Sequence, residues 1–183
     1  MYEEEKTTQL AAKFIERKGG KMNYLHLLKL MYVADRLSSL RYGVPITFDK
    51  WVAMKLGPVL SKTFDIIKES ATRDGYWQTY IQKQGYDVAL VDKPGDSELS
   101  EADQEIIEEV FDQFGGMYRF DVVDFLHTLP EWKPEWSAPD FNSSETMDFE
   151  EVLRANEASD EHLAAFSENL AAHRAIASIK GDY

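Results

Sequence analysis

The 183-residue chain contains no cysteine. Disulfide bonds, thiolate nucleophiles and cysteine-ligated zinc are therefore excluded. Its apolar runs are far shorter than the roughly 20 residues that a membrane-spanning helix needs. The first ten residues, MYEEEKTTQL, carry acids where a secretory signal would carry a basic segment and then an apolar one. We expect a soluble, cytoplasmic protein with no membrane partner.

Recognisable catalytic and metal-binding motifs are also missing. No two histidines have the spacing that places a metal-binding pair on one helical face, and no nucleotide loop or GxSxG motif occurs. Asp121 and Asp124 lie on adjacent helical turns, which favours N-terminal helix charge over a catalytic pair. We therefore predict no enzyme activity, no metal and no cofactor, and keep an uncharacterised enzyme as a third hypothesis. The histidines are His26, His127, His162 and His173.

The composition favours an ordered domain with an acidic surface. Hydrophobic residues make up 44% of the chain and aromatic residues 13%, which is sufficient for a packed core. The net charge of −13 divides into +4 for residues 1–75 and −17 for residues 76–183. Because a duplex would repel most of this surface, the charge argues against nucleic acid as a partner. Either a solvated face or complementarity to a basic partner would explain the acidic half.

Two helices are predicted at the start of the chain. The first covers residues 6–20 and ends at Gly19 and Gly20. The second covers residues 22–43, has Asn23 as its N-cap, and has apolar residues on most of its circumference. Within this second helix, Asp35 and Arg36 predict a local ionic arrangement, and a buried Asp35 would need hydrogen-bond partners.

The next elements are a short extended segment, a third helix and a hairpin. Residues 46–57 alternate loosely and predict the extended segment. We expect Pro58 at the first position of the third helix, where its missing N–H costs nothing. Residues 76–93 predict two strands that meet at Gln84 and Gly85.

The second half of the chain predicts further helices around a proline-rich loop. Ser100 and Asp103 resemble a capping box at the start of one helix, and residues 119–129 predict another that ends at Pro130. Ser159 is a suitable N-cap for a last helix. The apolar stripe of this helix is narrow, so the helix needs the domain, a second copy or a partner to stabilise it. The stripe consists of Leu163, Phe166, Leu170 and Ala177.

We therefore predict an α+β fold that is mainly α-helical, with winged-helix-like element order, one small antiparallel hairpin and a C-terminal helical extension. The predicted domains are residues 1–136 and an acidic extension of residues 137–183, in which ten acids and three basic residues give a charge of −7. A winged helix that reads DNA would use the third helix. In this helix, the positive charges of Lys62 and Lys68 are balanced by the negative charges of Asp65 and Glu69.

Four short motifs, in this order, resemble the Panacea domain, also called the SocA-like antitoxin domain, from about residue 8 to 136. The last motif, FLHTLPEW, has Leu126 where Ser or Thr is common in the family. The motif residues are Lys29, Leu30, Tyr32, Ala34 and Asp35, then Gly43, Pro45 and Ile46, then Gly57, Pro58 and Val59, then His127 and Trp132.

The resemblance implies a bacterial or phage antitoxin that neutralises a cognate protein toxin by direct binding. One alternative is an adaptor that delivers the toxin to a protease, and another is a winged-helix-like DNA-binding regulator. A homo-oligomer is also possible. Since aromatic and apolar side chains often dominate interface energies, we name six candidate partner-binding residues. They are Trp51, Trp132, Trp136, Leu163, Phe166 and Leu170.

Overall fold

The computed structural model describes residues 2–69, 74–137 and 143–180. The first half contains α1 (Glu4–Arg17), β1 (Lys21–Asn23), α2 (Tyr24–Tyr42), β2 (Trp51–Met54), β3 (Gly57–Leu60), α3 (Ser61–Lys68), α4 (Tyr76–Tyr80), β4 (Ile81–Gln84) and β5 (Asp87–Leu90). The second half contains α5 (Glu101–Val110), a π-helical turn (Phe111–Gly115), α6 (Arg119–Leu126), a 3-10 turn (Pro134–Ser137), β6 (Glu145–Thr146), α7 (Phe149–Ala155) and α8 (Asp160–Lys180). The predicted α+β, mainly helical class is confirmed.

Helix α2 is the central element of the core. Most of its residues are buried on both sides, because it packs against α1, α5, α6 and strand β3. The predicted N-cap is confirmed, since the side chain of Asn23 accepts a hydrogen bond from the Leu25 N–H. The helix ends at Gly43, whose φ of 69° is the left-handed conformation that glycine adopts without strain.

The strands form two small antiparallel sheets. One sheet has the order β1-β5-β4, so the predicted hairpin joins the short strand that precedes α2. Along the chain, α1, α2, α3 and this hairpin follow the predicted winged-helix-like element order, but the prediction of one hairpin is wrong, because β2 and β3 form a second hairpin between α2 and α3. The second sheet has the order β3-β2-β6. Strands β2 and β3 lie between α2 and α3 in the sequence, whereas β6 comes after α6.

The predicted helix start at Pro58 is wrong. Pro58 lies in β3 opposite Ala53, and the helix begins at Ser61. A proline fits here because β3 is an edge strand of its sheet and does not need to donate along its free side. The prediction for residues 76–80 is also wrong: they form the one-turn helix α4, which brings Trp77 into the core.

The capping box that opens α5 is confirmed. The Ser100 side chain accepts from the Asp103 N–H, and the Asp103 carboxylate accepts from the Ser100 N–H. After α5 the chain makes a π-helical turn instead of ending directly at glycine. A Cβ at Gly115 would lie 2.7 Å from the ring of Phe111, so this position needs glycine for lack of space.

The C-terminal extension packs against the rest of the chain. Strand β6 pairs with β2, and the first half of α8 forms a small second core with α7 and the end of α2. The predicted N-cap of α8 is present, since the Ser159 hydroxyl accepts from the His162 N–H. The boundary between residues 136 and 137 stays a prediction. Residues 138–142 and 181–183, with Asp140 and Asp182, and the side chain of Ala177 lie outside the described part of the chain.

Within residues 2–69, 74–137 and 143–180, no helix combines the length and apolarity needed to cross a membrane. In the same ranges, no group of three or more histidines and carboxylates is placed to hold a metal ion.

Candidate functional site

Three of the four sequence motifs meet around Lys29. Its side chain is fully buried, and its Nζ donates a hydrogen bond of 2.8 Å to the carbonyl of Pro58. A Cβ at Gly57 would lie 3.5 Å from both Lys29 Nζ and His127 Nε2. Two basic side chains therefore lie beside the β2–β3 turn at ordinary contact distance, and it is the φ of +88° at Gly57 that favours glycine there. Burial alone holds the pKa of Lys29 well below its usual range.

His127 stands between Lys29 and two tryptophans. Its ring stacks on Trp132 at 4.5 Å between centroids, and Trp132 makes an edge contact with Trp136 at 5.3 Å. Burial, and after it the charge of Lys29, lowers the pKa of His127. Its Nε2 is buried and has no hydrogen-bond partner among the residues that the structure describes.

Asp35 joins α2 to the segment that follows it. One carboxylate oxygen accepts the backbone N–H groups of Ile46 and Thr47 at 3.0 and 2.9 Å. The other accepts the Thr47 hydroxyl at 2.6 Å and the Trp51 indole N–H at 3.2 Å. Burial raises the pKa of Asp35 to about 6, although these four donors favour the charged form and act against that rise. The expected hydrogen-bonded role of a buried Asp35 is thus present.

A second buried carboxylate, Asp49, caps α3 from a distance in sequence. It accepts the N–H groups of Lys62 and Thr63 at 2.9 and 2.8 Å and the Thr63 hydroxyl at 2.8 Å. These N–H groups belong to the first turn of the helix and would otherwise have no partner within it. Sequence reasoning missed this role because the cap lies twelve residues before the helix instead of directly at its start.

The predicted local ionic arrangement of Asp35 with Arg36 is wrong. Arg36 points to the other side of α2 and binds Glu131 at 2.6 and 3.2 Å. Glu131 also accepts from the Tyr32 hydroxyl at 3.1 Å and from the Asn156 side chain at 2.9 Å. Adjacent residues on a helix project in different directions, so neighbours in sequence rarely face each other. This network connects α2 to the last family motif and to the C-terminal extension.

A cluster of exposed apolar side chains surrounds the start of α6. Tyr118 is 55% exposed, and Phe120 contacts it edge-on with 5.6 Å between ring centroids. The guanidinium of Arg119 lies 4.9 Å from the centre of each ring. We call Met117, Tyr118, Arg119 and Phe120 the aromatic surface. The sequence analysis did not identify this surface; the signal available to it is the run MYRF directly after two glycines, where the apolar residues do not continue a helical stripe.

A cavity of about 430 Å³ lies beside the aromatic surface. Its walls come from the start of α2, the β2–β3 hairpin, α3 and the start of α6. Most of the lining is apolar or aromatic and includes Leu28, Val59, Phe64 and Phe120. The volume lies within the range of roughly 300–1,000 Å³ that is typical of ligand pockets.

The six candidate partner-binding residues occupy different environments. Trp51 and Phe166 are fully buried, Leu163 is 4% exposed and Trp132 is 8% exposed, so these side chains fill the protein's own core. Trp136 and Leu170 pack on the edges of the two cores and are half-buried. A role of these residues in partner binding stays a prediction.

The family model of the SocA-like antitoxin, Panacea domain, matches residues 27–133. The chain belongs to this family. The match covers more than half of the chain and includes every motif described above, the aromatic surface and the cavity lining from Leu28 to Phe120. No curated protein and no solved structure matches the chain. Membership of an antitoxin-like family suggests an antitoxin role and points to a regulatory, non-enzymatic protein.

Proposed function

We propose that this Panacea-domain protein is an antitoxin that neutralises a protein toxin by direct binding through its aromatic surface. The main observation in support of this proposal is the exposed cluster at the start of α6, in which Arg119 lies against the rings of both Tyr118 and Phe120. The cluster lies inside the region that matches the antitoxin family.

The residue types of this surface favour protein recognition. Tyrosine and arginine are enriched among residues that dominate binding energy at interfaces, because they combine a large apolar area with a polar end. Apolar side chains clustered on a surface often mark an interaction site, whereas single exposed apolar residues are common on any protein. Burying Tyr118 and Phe120 in a partner would remove both rings from water and strengthen their contacts with Arg119.

The charge of the chain favours a basic partner. The net charge is −13, and residues 76–183 carry −17 of it against +4 in the preceding part. The electric field of this negative charge accelerates the encounter with a positively charged protein and disfavours the approach of nucleic acid. The acidic half supports a toxin whose own surface is basic, such as one that acts on an anionic substrate.

DNA binding is less well supported, despite the winged-helix-like order. The exposed positions of α3 include Lys62 and Lys68 but also Asp65, and Glu69 follows directly. A helix that enters the major groove needs a basic face to neutralise phosphate charge, and here the two signs cancel. A gel-shift experiment with the promoter of its own operon tests this alternative, for which a specific shift at moderate salt would be the supporting result.

Growth rescue tests the proposal. The chain is co-expressed with the product of its neighbouring gene, as wild type and as the double variant Tyr118→Ala/Phe120→Ala. We expect rescue by the wild type and its loss in the double variant. Tyr42→Ala is the matched control, since Tyr42 is 41% exposed but lies at the end of α2, outside the aromatic surface. Rescue by a folded double variant at wild-type level would contradict the proposed surface, and rescue without a stable complex would favour delivery to a protease.

A further inference from the structure

Positive charge is concentrated in the lining of the 430 Å³ cavity. Lys29, Lys55 and Arg119 all contribute to the lining, and no Asp or Glu does so among the residues that the structure describes. This is unusual for a chain with 33 acidic and 20 basic residues. Basic side chains in a mostly apolar lining favour a ligand that carries a negative charge.

Lys29 is the most informative residue of the lining. It is fully buried, and within the described chain its only hydrogen bond is the one to the Pro58 carbonyl. An ammonium group has three donor hydrogens, and a buried cation is costly unless an anion faces it. No carboxylate pairs with Lys29 among the described residues, in contrast to Arg36 with Glu131. An incoming anion would supply the counter-charge.

The apolar walls define the rest of the ligand. Phe64 and Phe120 present rings to the cavity, and Leu28 and Val59 continue the apolar lining. Apolar pockets with a few polar groups at fixed positions bind ligands whose apolar part fills the space and whose polar part sets the orientation. A flat ring fits between aromatic walls, where offset or edge contacts are favourable.

We propose that this cavity binds a carboxylate carried on an aromatic or similarly apolar body, with the carboxylate directed toward Lys29 and the body between Phe64 and Phe120. The ligand chemistry is shared by two sources, which are a small aromatic acid and an aromatic side chain beside a carboxylate on the toxin. The proposal concerns the cavity alone and does not rest on antitoxin action.

The test uses 3-phenylpropionate as the probe and its neutral amide, 3-phenylpropionamide, as the matched comparison. Both are titrated into the full-length protein and followed by backbone amide shifts in ¹H–¹⁵N spectra. We expect the acid to perturb the amides of α2 and of the β2–β3 hairpin, and to bind at least about tenfold more tightly than the amide, as for a hydrogen bond to a charged group. Equal affinity of the two probes, or no binding of either, would overturn the proposal.

Two variants locate the carboxylate. Lys29→Met keeps the volume and apolar character of the wall and removes the cation, so we expect roughly tenfold or greater loss of acid binding with amide binding unchanged. Arg119→Gln, on the part of the lining that α6 contributes, is expected to weaken acid binding by a smaller factor. Lys62→Met is the control, because Lys62 is exposed on α3 and does not line the cavity. Unchanged acid binding in folded Lys29→Met would contradict the assigned role of Lys29.

Competition with the toxin separates the two sources. Displacement of bound probe by the toxin would identify a toxin segment as the occupant. Simultaneous binding of both would exclude a toxin segment as the occupant and leave the small aromatic acid as the source. Phe120 belongs to both the aromatic surface and the cavity lining, so the probe titration is repeated on Tyr118→Ala, whose side chain does not line the cavity, and the growth-rescue test needs no probe.

Discussion

Arg36 and Glu131 form a bidentate ion pair between α2 and the loop that follows α6, with hydrogen bonds of 2.6 and 3.2 Å. Their side chains are only 14% and 3% exposed. The same carboxylate accepts hydrogen bonds from Tyr32 and Asn156, so it joins the central helix, the last family motif and the C-terminal extension. Its charged partner and hydrogen bonds lower the pKa of Glu131 against the opposing effect of burial.

Replacing Glu131 by alanine should destabilise the fold strongly. The Glu131→Ala variant leaves Arg36 as a nearly buried charge and removes acceptors from Tyr32 and Asn156. We expect the free energy of unfolding to fall by about 3–5 kcal/mol, which is typical when one partner of a buried pair is removed. Urea denaturation followed by circular dichroism measures it.

The matched control is Glu151→Ala. Glu151 pairs with Lys133 at 3.2 Å, but both side chains are about half or more exposed, at 68% and 49%. An exposed pair contributes roughly 0–1 kcal/mol, so this variant should unfold close to wild type. Equal losses in the two variants would show that burial does not set the strength of the Glu131 network.

Asp35 should titrate near pH 6. Its pKa is raised to about 6 in the folded protein, against 3.8 for an exposed aspartate. The native state therefore retains this proton to higher pH than the unfolded chain does. Through this group, the free energy of unfolding falls by about 3 kcal/mol as pH rises from about 4 to about 6. Carboxyl ¹³C shifts of Asp35 across that range measure the pKa, and a midpoint near the ordinary value of 3.8 would mean that its four hydrogen bonds fully offset burial.

Gly57→Ala should destabilise the fold through backbone strain. The φ of +88° disfavours any residue with a Cβ, while the nearest atoms, on His127 and Lys29, are at an ordinary contact distance of 3.5 Å. We expect a loss of about 1–2 kcal/mol in thermal or urea unfolding. Gly116→Ala serves as the control, since Gly116 has a φ of −83° and nothing lies within 4 Å of a Cβ there. A Gly57→Ala variant as stable as Gly116→Ala would contradict the strain argument.

Phe166 should anchor the C-terminal helix. It is fully buried in the small core with Leu153 and Leu163, so Phe166→Ala should cost about 3–5 kcal/mol or release α8 from the domain. Ile176→Ala, on the same helix but 56% exposed, should have almost no effect. Hydrogen exchange of the α8 amides distinguishes local release from global loss of stability. Unchanged protection in Phe166→Ala would show that other contacts hold the helix.

Local sequence rules predicted the features that depend on neighbouring residues. The caps at Asn23, Ser100 and Ser159 and the left-handed end of α2 at Gly43 follow from side-chain chemistry within a few positions. The buried circumference of α2 was also visible, because its apolar residues cover more than one face. These signals were enough for the fold class.

Long-range pairing accounts for what the sequence reasoning missed. The residues at Pro58 have the pattern of a helix start. They form the edge strand β3 instead, because they pair with β2. The partner of Arg36 lies 95 positions away at Glu131, and the cap of α3 comes from Asp49. A pattern within a short window contains no information about such contacts. The burial of Trp51 likewise depends on Asp35 and Phe149, which neighbour it only in the folded chain.

The most direct test of antitoxin action is a binding measurement with purified proteins. The chain and the product of its neighbouring gene are mixed and analysed by size-exclusion chromatography with light scattering, with toxin activity assayed on the same samples. Direct neutralisation predicts a stable complex of defined stoichiometry in which toxin activity is lost, and the Tyr118→Ala/Phe120→Ala variant should form no such complex. Separate elution of the two proteins, with toxin activity unchanged, would contradict neutralisation by direct binding.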